Sequence, residues 1–191
     1  MSGTPLSPAR PGPVALPALR WGVKASFLRY LARMPDGRCS VTDGADVAAD
    51  RTFSFSPDGT WHLDPSVGAA VHRFRGDVRF SGHHGLLFVR IADPVLEVRG
   101  PGGVLSICGA PVDAGPPRRL PLLTFDLAPP LHPDDPGVCG HGVRARLTSA
   151  GAEVFDLVYP EGESLDDLAF PPPPAALRTA IDPPRRGRPT P

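Results

Sequence analysis

"VHRFRGDVRFSGHHGLLFVRIADPVLEVRGPGGVLSICG" spans residues 71–109. Its pieces have the length and punctuation of strands. Residues 71–80 and 85–94 are apolar-rich runs bounded by glycine, aspartate and proline, and each reads as one strand. Residues 95–109 carry two further apolar runs around Pro101-Gly102-Gly103, the signature of a hairpin. Between the first two strands stand His83 and His84, enclosed by Gly82 and Gly85.

The same period continues outward. Upstream, "TFSFSPDGTWHLD" (52–64) alternates Phe53 and Phe55, turns at Pro57-Asp58-Gly59, and alternates back through Trp61 and Leu63. This predicts a hairpin. Downstream, "LPLLTFDLA" (120–128) reads as another strand. "GVRARLTSAGAEVFDLVY" (142–159) reads as a third hairpin turning at Ser149-Ala150-Gly151. Only "ALRWGVKASFLRYLARM" (18–34) has helical spacing, with Leu19, Val23, Phe27, Leu31 and Met34 on one stripe. Pro35-Asp36-Gly37 ends it. Ser26 and Tyr30 lie four apart along the stripe's edge, with Arg33 beside them and Arg29 further round. The expected fold is mainly β: an antiparallel, two-sheet, β-sandwich-like domain with one N-terminal α-helix. There is no βαβ alternation and no internal repeat, which argues against a Rossmann fold or an α/β barrel.

The chain has 191 residues and is 41% apolar, enough for one domain with a real core. Twenty basic residues balance twenty acidic ones, so no strong pull toward nucleic acid or anionic lipid is expected. Lys24 is the only lysine. Proline is concentrated at the two ends, five in residues 1–17 and eight in residues 171–191. Both ends are expected to be disordered arms, leaving residues 18–170 as the folded domain. Cys39, Cys108 and Cys139 are an odd set and give no disulfide framework. The first twenty residues lack a charged segment followed by an apolar one, and no run approaches the ~18 apolar residues of a membrane span. A cytoplasmic location with reduced thiols and no membrane span is the expectation.

Several catalytic signatures are missing: a phosphate-binding glycine loop with its lysine, G-x-S-x-G, and H-E-x-x-H. Asp134-Asp135 and Asp166-Asp167 read as solvated charge. The His83–His84 pair admits three readings. A zinc site needs further ligands, drawn from Cys139, His141, His62 or His72, and no C-x-x-C or H-x-x-x-H accompanies them. An exposed polar turn is the second reading. In the third, one histidine supports a ligand on another element. Tyr30 is likewise either a half-buried edge residue or a ligand on the helix.

"LRWGVKASFLRY" (19–30) and "GDVRFSGHHGLLFVRIADPVLEV" (76–98) together resemble the HtaA domain of actinobacterial haem-uptake proteins. The shared patterns are W-G-x-K-x-S-F-x-x-Y and V-x-F-x-G-H-x-G-x-L. "LTSAGAEVFDLVYPEGESLDDL" (147–168) is similar to the family's closing hairpin, so the likeness runs over about residues 19–170. The resemblance implies a haem-binding protein that is not an enzyme. It implies ferric haem b as cofactor, Tyr30 as the metal's axial ligand, and His83 as that oxygen's hydrogen-bond partner. By the same resemblance Ser26 and Tyr159 meet the propionates. Phe27 and Leu31 then offer apolar surface to the porphyrin, with Arg33 a further contact to its carboxylates and His84 at the pocket rim. Haem acquisition, trafficking or storage is the implied role, with another haem carrier or transporter component as partner. Two alternatives stay open: a ligand-free β interaction module, and a haem-dependent or haem-degrading enzyme.

Overall fold

The computed structural model describes residues 18–109, 118–127 and 142–181. The expected arm of residues 1–17, and Cys139 and His141 of the zinc reading, lie outside them. Thirteen strands, three α-helices and one short 3-10 turn at His83–Gly85 are found among the described residues. In chain order they are β1 (Leu19–Trp21), α1 (Ala25–Arg33), β2 (Arg38–Thr42), β3 (Ala45–Val47), β4 (Phe53–Pro57), β5 (His62–Asp64) and β6 (Ala69–Arg75). There follow β7 (Asp77–Gly82), β8 (Leu87–Ala92), β9 (Val95–Arg99), β10 (Gly102–Cys108) and β11 (Arg119–Asp126). The last are β12 (Ala145–Leu147), α2 (Ser149–Val154), β13 (Leu168–Ala169) and α3 (Ala175–Ile181).

The strands form two antiparallel sheets, as the alternation predicts. The larger runs β12-β11-β10-β9-β6-β4-β1-β13, with β3 added on β4 and β5 on β6. A bridge between Val143 and Leu168 ties its two ends. The smaller sheet is β2-β7-β8. Each of its strands is continuous with a strand of the large sheet. Gly76, at φ +147°, forms the corner between β6 and β7. A Cβ there would stand 2.8 Å from Ala45 and from the Phe55 ring, so only glycine fits. The run 71–80, expected as one strand, is therefore broken at Gly76. The corner between β8 and β9 lies beside it, and Asp93 N–H donates to the Gly76 carbonyl at 2.8 Å.

Three other expectations are corrected. Residues 18–34 are not all helix, because Leu19 and Trp21 satisfy a two-residue period equally well. They point into the core as β1, and the Trp21 indole donates to the Asp166 carbonyl at 2.9 Å. Residues 52–64 are not a hairpin: β4 and β5 both pair with β6, and Pro57-Asp58-Gly59 is a detour between two pieces on one edge. Residues 142–159 are not a hairpin either. Thr148 caps α2 by accepting from Gly151 N–H at 2.9 Å, the standard device for starting a helix. The hairpin at 95–109 forms as expected, with Gly102 opposite Arg99 and Val104 opposite Glu97.

The end of the domain also differs from expectation. The Trp61 indole donates to the Pro171 carbonyl at 3.1 Å, and Ile181 of α3 packs against the core. Ordered structure thus continues past residue 170. Among the described residues no helix is long and apolar enough to cross a membrane.

The core reaches the surface through a relay of aromatic rings. Phe80 packs edge-on against Phe53 and Phe27, at centroid distances of 5.4 and 5.2 Å. Phe27 meets Phe155 at 5.5 Å, and Phe155 meets Tyr159 at 5.9 Å. This relay fixes α1, the small sheet and the segment after α2 relative to one another.

Candidate functional site

Those three elements enclose a cavity of about 600 Å³. Helix α1 contributes Phe27 and Tyr30. The turn after β7 and strand β8 contribute His83, Leu86, Leu87 and Val89. The segment after α2 contributes Phe155, Asp156, Val158 and Tyr159. The lining is mostly apolar, with a few polar groups at fixed places, which is the usual make-up of a small-molecule or cofactor site.

Its chemical centre is one pair. The Tyr30 hydroxyl lies 2.5 Å from His83 Nε2. The two residues are 53 positions apart and are brought together by α1 packing across β7. With a neutral phenol, Tyr30 donates to an unprotonated Nε2. With a phenolate, the direction reverses and Nε2–H donates. Tyr30 remains 48% exposed, so its oxygen is reachable from the cavity and from solvent.

The histidine pair does not lie on a strand. His83, His84 and Gly85 have φ of +51°, +55° and +92°, a left-handed turn between β7 and β8. Each left-handed non-glycine residue costs about 1 kcal/mol or more and persists only when its surroundings impose it. The two rings diverge because of this turn. His83 faces the cavity, whereas the His84 side chain is 96% exposed and does not line it. Gly82, just before, passes under Met34: a Cβ there would come within 2.9 Å of the thioether.

The opposite wall is held by the only lysine. Lys24 Nζ donates to Glu163 Oε1 and to the Ser164 carbonyl, both at 2.8 Å, and sits 5.1 Å above the Tyr159 ring centroid. Of the residues expected at the site, Phe27, Tyr30, His83 and Tyr159 line the cavity. Ser26 and Arg33 do not: both are exposed on α1. Leu31 is not at the cavity either, being buried in the core below it. Leu86, Leu87, Val89, Phe155, Asp156 and Val158 were not anticipated. Among the described residues no cluster of three or more His, Cys, Asp or Glu forms a metal-binding group. His72, one zinc candidate, is buried between Trp61 and Phe74.

The family model Htaa matches residues 17–171. The chain belongs to the HtaA family. Solved structures agree on the fold. The C-terminal domain of HtaA from Corynebacterium glutamicum is 23% identical, with TM-score 0.63, over 80% of this chain and 92% of that one. The N-terminal domain of the same protein is 22% identical, with TM-score 0.64, over 83% and 97%. Heme binding protein HtaB from Corynebacterium glutamicum is 19% identical, with TM-score 0.61, over 81% and 91%. No curated protein matches the chain. In this HtaA domain, Phe27, Tyr30, His83 and Tyr159 converge on one cavity.

Proposed function

We propose that this HtaA domain binds ferric haem b through the Tyr30 oxygen and holds it for acquisition, trafficking or storage without transforming it. The observation that carries the reading is the Tyr30–His83 pair, 2.5 Å apart on the wall of an apolar cavity. Family membership and the likeness to a heme binding protein support it. The donor set fits: tyrosine oxygen is an established haem ligand, and an anionic oxygen suits the ferric ion.

A phenol free in water ionises near pH 10, so ligation at neutral pH requires help. Bound ferric iron supplies a positive charge that favours the ionised oxygen. The chain supplies the rest. His83 orients the oxygen and, as an Nε2–H donor, stabilises its anionic form. Phe27, Phe155, Leu87 and Val89 offer apolar surface to a flat ring. Tyr159 lines the same space from the far wall, and Ser26 stands one turn before Tyr30 for a carboxylate reaching out of the cavity. A single protein ligand from an exposed helix edge suits a cargo that must be passed on, to another haem carrier or a transporter component.

The test is hemin titration of the purified domain. Tyr30→Phe is expected to lose the tyrosinate-type spectrum, and His83→Ala to lose hemin about 10- to 100-fold faster, the usual cost of removing a ligand's supporting partner. A Tyr30→Phe variant with the parent's spectrum and affinity would overturn the assignment.

A further inference from the structure

We propose that Asp36 is a positioning residue that sets His83 against Tyr30, an inference that rests on reading that pair as the ligand and its support. Asp36 lies in the loop that ends α1, six residues after Tyr30. Its Oδ2 accepts the backbone N–H of His84 at 2.6 Å. One carboxylate therefore links the element carrying the ligand to the turn carrying its partner.

The turn needs such a link. Two bulky residues and a glycine in succession have positive φ. The N–H groups of His84 and, more weakly, His83 face the Asp36 carboxylate, and consecutive backbone N–H groups in a turn are suited to hold an anion. Asp36 fills that place. Its carboxyl is held below the ordinary carboxylate range, chiefly by the His84 N–H against an opposing effect of desolvation, and further by its own N–H and that of His83. The His84 ring is not the contact that matters, because its Nδ1 is 3.9 Å from Oδ2 and the side chain is almost fully exposed. Packing of Met34 over Gly82 brings the same two elements together but offers the His84 N–H no oxygen acceptor.

This assignment separates the carboxylate from the imidazole beside it. His84→Ala keeps the backbone N–H and is expected to be nearly silent. Asp36→Ala removes the acceptor and is expected to raise the hemin dissociation rate about 10-fold, as loss of an outer partner does. Asp36→Asn retains an oxygen acceptor and should stay within about 2-fold of the parent. Asp36→Ala combined with His84→Gly should recover part of the loss, because glycine takes positive φ without penalty.

The experiment measures hemin dissociation for these variants and for Tyr30→Phe. It also follows the His84 amide and His83 ring signals by NMR in hemin-free protein, with circular dichroism as the check on folding. Asp36→Ala should shift the His83 ring signals while Asp36→Asn leaves them near the parent's. Parent-like dissociation and ring signals in folded Asp36→Ala would overturn the proposal. So would Asp36→Asn as impaired as Asp36→Ala. If the parent takes up no hemin, or Tyr30→Phe binds as well as the parent, the ligand reading falls instead. The hemin-free NMR comparison still decides whether Asp36 positions His83.

Discussion

At the scale of single residues, the site and the core use histidine in opposite ways. His83 is placed where its ring nitrogen meets another side chain. His72 is 2% exposed, wedged between Trp61 and Phe74. Its Nε2–H donates to the Gly59 carbonyl at 3.2 Å, and its Nδ1 has no partner. Burial, against a smaller opposing effect of the Gly59 carbonyl, holds its pKa below the ordinary 6.5. The sign follows from linkage. The unfolded chain takes up a proton there at higher pH than the folded one, so the stability His72 contributes is complete above pH 6.5 and is lost as pH falls below it. One such proton changes stability by at most about 1.4 kcal/mol per pH unit. Denaturant midpoints measured from pH 7.5 to 5 should fall in the parent and stay flatter in His72→Gln, which keeps a donor for Gly59. Equal slopes would remove His72 from the account. The sequence named four of the cavity's ten lining residues, including both members of the polar pair. Phe155 and Val158 were hidden because they look like strand residues, and Asp36 because its role depends on a backbone N–H.

At the scale of elements, the two-residue period identified β-structure correctly and mistook its connections. A stretch such as 71–80 spaces Val71, Phe74, Val78 and Phe80 among polar residues along its whole length, and nothing in that pattern says that Gly76 moves it from one sheet to another. What decides is contact: Ala45 and Phe55 press on the glycine from the neighbouring strands. Thr148-Ser149-Ala150-Gly151 has the composition of a turn, yet α2 forms because the threonine caps it and Gly151 lies against the Leu122 carbonyl. The Asp43-Gly44 step between β2 and β3 carries a recognisable turn signal, with φ of +58° and +102°. Its flanking strands, RCSVT and ADV, are too short and polar to carry a two-residue alternation in the sequence. Gly76→Ala tests the corner. A methyl at φ +147° within 2.8 Å of two neighbours should cost about 2–4 kcal/mol, in the range of severe backbone and overpacking changes. Chemical denaturation reads this directly. A variant within 0.5 kcal/mol (about the noise of surface substitutions) would show that the corner has room.

At the scale of the whole molecule, the cavity and the C-terminal segment 171–181 are built from separate residues. Composition alone suggested that everything after Phe170 is a solvated arm, since four prolines open it and few apolar residues follow. The structure gives residues 171–181 specific work, and residues 182–191 lie outside the described residues. Pro171 accepts a hydrogen bond from Trp61, Pro173 is buried, and α3 packs beside β6 with Ile181 on the core. Proline suits this role because its fixed φ lowers the entropy lost on docking. None of these residues lines the cavity. Stability and ligand binding should therefore separate on truncation. Ending the chain at Phe170 removes one net hydrogen bond, worth about 1 kcal/mol, together with the burial of Pro173 and Ile181. A loss of roughly 2 kcal/mol lowers Tm by about 4–8 °C in a domain of this size. Hemin affinity and the tyrosinate spectrum, measured at 20 °C where both forms are folded, should be unchanged. An unchanged Tm would mean that α3 does not hold the Trp61 side of the core. A lost spectrum with an intact fold would mean that the C-terminal segment reaches the Tyr30–His83 pair through the β6 side of the sheet.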